Sequence, residues 1–385
     1  MLIFGNGHPV RASGFCTSRH NCTQSCTPAP PAPGCPAGAA GPRDPIPAAA
    51  GAYLFNLGRI FDSETTKIEN AFPAESTRPQ QSVPGGAAAG DAPGAGPGAA
   101  PAAAGAPAPD SGRPLNILLI GSDSRGATAE EAMSGAGSDQ RADSLMLVHI
   151  PAGRSKIYSI SLMRDLWVGI PDHGNAKINA ALAFGGVPLM VQTVESIFGQ
   201  RIDHVAMIGF DGFVGMTDAL GGVDVDVPAP FVSYVDQIAF TAGPNPLDGK
   251  QALEFVRERY AFADGDYQRV RNQQAFVKAL LGKNLSADSL LTPFKVHNAV
   301  SALAPFISVD GGLDAAALAS LAVELRDVRP RDMLMFTLPT RGIGTSTDGQ
   351  SIVLPDPGAI GALSAALAAD TLGDYVAANG LEGGN

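Results

Sequence analysis

The chain has 385 residues, enough for one large domain or two smaller ones with a substantial core. Its net charge of -11 argues against a general affinity for nucleic acid. The 46 glycines and 31 prolines are weighted towards the first third, so the folded part is shorter than the chain.

All four cysteines fall early, at Cys16, Cys22, Cys26 and Cys35. Their spacing fits no standard zinc pattern, and the Pro-, Ser- and Thr-rich stretch around them has no periodic apolar face, so residues 1–48 read as a disordered tail. The apolar run at the start is too short for a signal peptide, and no run of 18 apolar residues predicts a spanning helix. Residues 49–78 place Leu54, Leu57, Ile60 and Phe61 at helical spacing with charge between them, which predicts an amphipathic helix. Residues 79–113 are Ala, Gly and Pro with almost no large apolar side chain, the composition of a linker.

The folded domain is expected over 114–375, followed by a flexible tail at 376–385. Strands are predicted at 115–120, 144–150 and 155–162, a helix after Asn175, and a second helix that opens at Pro188 and stops before Gly199. A strand at 205–210 precedes GGVDVDVP, whose alternation of Val with Asp224 and Asp226 marks a half-exposed strand. Asp248 and Asp266 are placed to cap two helices running through Val256 and Leu281. Ala-rich helices near 295–305 and 313–325, a strand at 333–338 and a helix at 357–369 complete an alternating α/β pattern.

Charge collects at the strand ends. Asp123, Arg125, Arg141, Asp143, Arg164 and Asp165 sit at three successive corners, where ligands of α/β folds bind. Arg257 and Arg259 lie two apart and share one face of an extended segment, while Glu258 points away. Arg269 and Gln273 are one helical turn apart. Arginine, planar and permanently charged, suits phosphate, so a convergence of these side chains calls for a multiply charged anion, with diphosphate foremost. Asp123 and Asp143 have two readings: ligands of a magnesium ion, or ion-pair partners of Arg125 and Arg141. No GxSxG, Walker-type or GxGxxG loop occurs, and His149 inside an apolar strand reads as a satisfied core residue.

In order, GSDSR, RADSLML, SLMRD, KINAALAFGG, IDHVAMIGFDGF, DALGGVDVDV, LDGKQALEFVRER and DYQRVRNQQ resemble the motifs of the LytR-CpsA-Psr proteins, of the actinobacterial type, from about Leu115 to Leu281 and more weakly to about residue 340. The resemblance implies an α/β/α sandwich with a central mixed β-sheet and a lipid-sized apolar cavity between sheet and helices. It implies a phosphotransferase moving a glycopolymer, arabinogalactan or a teichoic acid-like polymer, from a polyprenyl-diphosphate carrier to peptidoglycan. It makes Asp123 and Asp143 the ligands of Mg2+; a carboxylate such as Asp123 is a candidate to assist deprotonation, and the sequence does not select it. Arg164, Arg257, Arg259 and Arg269 bind the diphosphate, with Gln273 beside them; for Arg125 and Arg141 two readings stay open, contact with the phosphates or holding the two aspartates in place. The helices at 176–198 and 266–281 would line the lipid tunnel. Two departures stand out: Asn272 follows Arg271 where many members have arginine before the paired glutamines, and the stretch before about residue 50 lacks the family's spanning helix. Membrane association and an extracytoplasmic location are expected from the family. The competing readings are a non-enzymatic polyprenyl-phosphate- or glycan-binding envelope protein, and a polyprenyl-diphosphate diphosphatase with water as acceptor.

Overall fold

The computed structural model describes residues 56–80, 112–123, 140–284 and 293–383. The Cys/Pro-rich tail, most of the Ala/Gly/Pro linker and Arg125 lie outside the described residues.

A seven-stranded mixed sheet organises the chain. Its strands in chain order are β1 (Thr66–Ile68), β2 (Leu115–Asp123), β3 (Arg141–Ile150), β4 (Ile157–Leu162), β5 (His204–Gly209), β6 (Ile307–Asp310) and β7 (Met333–Thr337). The order across the sheet is β1-β6-β5-β2-β3-β4-β7. The pairs β1–β6, β5–β2 and β4–β7 are parallel, and the other three are antiparallel. All six residues of β4 are buried, the pattern of a strand covered on both faces.

The helices are α1 (56–64), α2 (Ala180–Phe198), α3 (Phe210–Ala219), α4 (Gly249–Arg257), α5 (Asp266–Asn284), α6 (Pro293–Leu303), α7 (Ala315–Glu324), α8 (Pro357–Ala368) and α9 (Leu372–Ala378). One face of the sheet is packed solid: Leu118, Leu145, Leu147, Ile160 and Phe336 meet Val187, Met190 and Val194 of α2 and Leu363 and Leu367 of α8. Among the described residues α2 is the one helix long and apolar enough to cross a membrane, and its burial against the sheet accounts for that composition. The expected break before Pro188 is present, because Gly185 and Gly186 leave helical geometry and kink α2 there. Gly199 ends it in the left-handed conformation that glycine adopts without penalty.

On the other face α3 and α4 pack together with the hairpin of Val223–Val227 and Gly243–Leu247. Asp248 caps α4 through a reciprocal pair of bonds with Gln251. Gly249 lets α4 approach α3, since a Cβ there would overlap the Val214 carbonyl. His149 is the satisfied core residue expected, held between Asn116 (2.8 Å) and Asp370 (3.2 Å).

Three expectations are corrected. The helix expected through 49–78 ends at residue 64, and β1 follows as the sheet's edge strand, with Phe61 and Ile68 buried. The ordered body passes residue 375, because Val376 and Leu381 fill the main core. The helix at 180–198 is not among the elements that line the cavity on the other face; it belongs to the solid face.

The segment between β1 and β2 is tied to α2 by a buried ion pair. Arg78 donates to Glu195 on α2 at 2.6 Å and also to the Ile202 carbonyl, with side chains only 6% and 2% exposed. Breaking a buried pair strands the surviving charge. Glu195→Ala is therefore expected to cost about 3–5 kcal/mol of unfolding free energy, measured by urea denaturation.

Candidate functional site

Between the sheet and the second helical layer lies a cavity of about 690 Å³. The pleat of the strands creates it. Leu145 and Leu147 of β3 face the solid core, whereas Met146, Val148 and Ile150 face the cavity. Ile117 and Leu119 of β2, Ile157 of β4 and Met333 and Met335 of β7 extend that wall. Opposite stand Phe213 and Met216 of α3, Leu253 and Val256 of α4, Phe276 and Leu280 of α5, and Leu321 of α7 with Leu325 at its C-cap. Of the two helical segments expected to line a lipid tunnel, α5 lines this cavity and α2 does not.

The apolar lining gives way to charge where Asp143, Arg164, Arg257, Arg259, Arg269 and Gln273 reach the same cavity. A β-bulge delivers the carboxylate. Gly121 pairs with Ser144 and Ser122 with Ala142, so Asp143 is the extra residue of β3. A bulge breaks the strict alternation of a strand and re-aims a side chain. Asp143 and Ser144, adjacent in sequence, consequently both face the cavity. A Cβ on Gly121 would come within 3.0 Å of the Ser144 Cβ, a tight approach that favours glycine at this turn of register.

The arginines are gathered by carboxylates. Arg164 Nη1 donates to Asp143 Oδ1 at 2.7 Å, and its Nε lies 3.7 Å from Asp266. Asp266 is also 3.5 Å from Arg259 and 3.3 Å from Arg269. One carboxylate thus bridges three guanidinium groups from three parts of the chain. Burial alone would raise the Asp266 pKa, but Arg269, Arg164 and Arg259 hold it below the ordinary carboxylate range. Burial and then the Arg164 charge push Arg269 down to about 10, from 12.5. Arg164 moves upwards: burial opposes its charge, but Asp143 and Asp266 outweigh it. Among the described residues, Arg164 Nε and Arg269 Nε have no hydrogen-bond acceptor although both are buried. Two such donors in one rim leave capacity for an anion.

The remaining side chains are set by their own partners. The Arg257 guanidinium lies 4.4 Å from the Phe210 ring, and Arg259 lies 4.5 Å from the Tyr260 ring while donating to its hydroxyl. Arg257 is the last residue of α4 and Glu258 its C-cap, so the two arginines do not share the extended segment expected, and Glu258 also lines the cavity. Its carboxylate accepts from the amides of Arg259, Tyr260 and Ala261 on one oxygen and Tyr234 on the other. Gln273 Nε2 donates to the carbonyls of Val256 (3.3 Å) and Asp143 (3.4 Å), tying α5 to both walls. Asn272 donates to the Phe255 carbonyl, and Arg271 turns outward to Asp264 and Gln268. The arginine that departs from the family's usual position therefore takes no part in this cluster.

Asp123 and Arg141 face each other in register across β2 and β3, at the strand ends, and neither lines the cavity. Asp266 is the residue that sequence reasoning missed; it was expected as a helix cap. Its position three before Arg269, one helical turn away, was the available signal. For a metal, the described residues hold no group of three or more His, Cys, Asp or Glu. Of the two carboxylates expected as magnesium ligands, Asp143 lines the cavity and is ion-paired with Arg164, while Asp123 lies at the strand end outside the lining; magnesium takes one or two protein carboxylates and fills its octahedron with water and phosphate oxygens.

Residues 97–368 match the LytR_cpsA_psr family. The chain is 39% identical over 217 residues to LcpB, a probable cell wall biosynthesis protein of Corynebacterium glutamicum, covering 55% of this chain and 52% of that protein. It is 33% identical over 189 residues to the polyisoprenyl-teichoic acid–peptidoglycan teichoic acid transferase TagU of Enterococcus faecalis, covering 49% and 59%. The chain spans about half the length of the curated relatives it matches. Among solved structures, TagV of Bacillus subtilis superposes with a TM-score of 0.56 at 25% identity, over 68% of this chain and 98% of that one. A LytR-Csp2A-Psr enzyme from Actinomyces oris gives 0.52 at 24% identity, over 66% and 89%.

Asp266→Ala removes the shared counter-charge and leaves Arg269, 5% exposed, without its carboxylate. The expected loss is about 2–4 kcal/mol by urea unfolding, with part recovered on adding inorganic pyrophosphate. Because the folded pKa of Asp266 is depressed, its contribution is complete above the ordinary carboxylate pKa and is lost as pH falls through the folded value. The stability gap between wild type and Asp266→Asn should accordingly narrow in acid.

Proposed function

The chain belongs to the LytR-CpsA-Psr family, and we propose that it transfers a glycopolymer from a polyprenyl-diphosphate carrier to peptidoglycan at the extracytoplasmic face of the membrane. One observation carries this reading: an apolar cavity that ends in four arginines. An amphiphile with a long hydrocarbon tail and a diphosphate head matches both halves at once. The tail gains about 0.8 kcal/mol for each methylene taken from water. The head meets guanidinium donors that have unused capacity. The cargo is arabinogalactan or a teichoic acid-like polymer, and the consumed carrier tells them apart.

In the reaction a sugar hydroxyl of peptidoglycan attacks the phosphorus nearest the glycan. The bond from that phosphorus to the bridging oxygen breaks, and polyprenyl phosphate departs with the electron pair. The hydroxyl proton passes to a carboxylate of the Asp123 and Asp143 pair. Arg164, Arg259 and Arg269, already clustered around Asp266, stabilise negative charge that shifts onto the leaving phosphate. Arg257 is steadied by the Phe210 ring and completes the rim. Gln273 holds the Asp143 backbone to α5 and so keeps carboxylate and arginines in register. Asp123 and Asp143 would hold Mg2+, which when bound neutralises charge on the diphosphate oxygens.

The test is a two-product assay with radiolabelled carrier and a peptidoglycan acceptor. Arg259→Ala should lower transfer by roughly 10- to 150-fold, the equivalent of about 1.5–3 kcal/mol for one charged hydrogen bond to phosphate. Near-normal turnover in that variant sinks the assignment. Polyprenyl phosphate released without label entering peptidoglycan points instead to a diphosphatase. Chelation by EDTA should abolish transfer and magnesium restore it, with Asp143→Asn needing several-fold more metal for half-maximal rate. Full activity in EDTA would remove the metal from the scheme.

A further inference from the structure

Beside the arginine rim stands a loop, residues 233–238, that the transfer reaction as described does not use. Two buried glutamates hold it by its backbone. Glu258 Oε2 accepts from the Tyr234 amide at 2.6 Å, and Glu254 Oε1 accepts from the Asp236 amide at 3.1 Å. Both carboxylates are under a tenth exposed. Burying a carboxylate is costly unless its oxygens are satisfied, so these bonds fix the loop to α4 and to the segment carrying Arg259. The Ser233 amide and hydroxyl close the loop on Ile238.

The side chains held out by this anchoring are apolar and wet. Tyr234 is 65% exposed, Val235 72% and Tyr260 61%. Val235 and Tyr260 line the cavity, and the Tyr234 and Tyr260 rings are 5.1 Å apart. Arg259 lies 4.5 Å from the Tyr260 ring and 3.5 Å from Asp266, so it joins the charged rim to the aromatic pair. Exposure rises from the guanidinium cluster, with Arg269 at 5% and Arg259 at 32%, to the tyrosine rings, which places the rings on the solvent side of the cluster. A glycosylated lipid diphosphate has a matching order: hydrocarbon, diphosphate, sugar.

We propose that Tyr234 and Tyr260 form a saccharide subsite that takes the first sugar attached to the diphosphate. This rests on reading the cavity as a lipid-diphosphate site. A sugar ring offers a C–H face to an aromatic face and hydroxyls to the tyrosine oxygens, which suits side chains with an apolar body and a polar tip. A bilayer surface is the other claimant on exposed Val232, Val235 and two tyrosines. Asp236 within the loop is paired with Lys250, and Asp264, four residues after Tyr260, with Arg271, so neither adds net charge beside the rings, which is compatible with a neutral sugar.

The experiment compares farnesyl diphosphate with its N-acetylglucosaminyl diphosphate conjugate in detergent-free buffer, by calorimetry on the full chain. Wild type should bind the glycosylated compound about tenfold more tightly, a difference of about 1.4 kcal/mol. Tyr234→Ala should remove that preference and leave farnesyl diphosphate binding unchanged, while Tyr234→Phe keeps most of it. Equal wild-type affinities overturn the subsite and leave the clamp standing. Equal losses for both ligands in Tyr234→Ala also overturn it, as does loss of binding to phosphatidylglycerol vesicles with the sugar preference intact. A Tyr234-dependent sugar preference without any affinity for farnesyl diphosphate would keep the subsite and remove the lipid-diphosphate reading.

Discussion

Crowding of like charge governs the site. Four arginines open onto one rim of a low-polarity cavity. Two unit charges about 4 Å apart interact by about 4 kcal/mol at an effective dielectric of about 20, so guanidinium groups packed this way would drive the rim apart without compensation. Asp266 compensates three of them at 3.3–3.7 Å, and Asp143 adds a hydrogen-bonded pair with Arg164. The balance remains short of negative charge: burial first, and the Arg164 charge second, hold the Arg269 pKa down at about 10. An incoming anion relieves that deficit. The resting protein is therefore held together by carboxylates at the place where a ligand's phosphates would later share the work.

The same rim depends on the asymmetry of the sheet. Both faces of the central strands carry large apolar side chains, yet only one face is filled. Kinked α2 lies directly on Leu118, Leu145 and Ile160. On the other side α3, α4 and α5 are braced against one another and the Val223–Val227 hairpin, with Gly249 allowing the close approach of α4 to α3. Those helices satisfy their own apolar contacts away from the sheet, so a hollow lined by Met146, Val148, Phe213 and Phe276 survives between the layers. Close packing is the norm in protein interiors. A hollow this size, shut off from neither solvent nor charge, is what an apolar ligand would complete.

Much of this was legible in the sequence, where local chemistry determined the outcome. Asp248 capped its helix, Gly199 ended α2, and the Val–Asp alternation of residues 223–227 marked a half-exposed strand, because each depends on a few neighbours. The convergence of Arg164, Arg257, Arg259, Arg269, Asp143 and Gln273 was also readable, through residue type and, for Arg269 and Gln273, a shared face. What failed was assignment between layers. The apolar surface of α2 fitted a solid core and a hollow one equally, and periodicity carries no sign of which side of the sheet a helix covers. Asp266 was read as a cap because its two distant partners, Arg164 and Arg259, are adjacent only after folding. The bulge at Asp143 was invisible for the same reason: it is a register shift between two strands, and neither strand alone encodes it.

The division between hollow and rim has a kinetic consequence under the proposed reaction. Hydrocarbon contacts with Met146, Phe213 and Phe276 are the same before and during phosphoryl transfer, so they hold the carrier without lowering the barrier to chemistry. Charge moves only at the phosphates, from the bridging oxygen to the leaving group, and only the rim can sense that movement. A longer tail should thus lower the concentration of carrier needed while leaving the maximal rate almost unchanged. Substitutions at Arg164, Arg259 or Arg269 should act chiefly on that rate. Asp266 stands between the two effects. It touches three arginines, and any loosening of their geometry would weaken the donors when the phosphate charge develops, although Asp266 itself repels that charge. Its value lies in positioning, and the repulsion is tolerable because each guanidinium retains donors directed elsewhere.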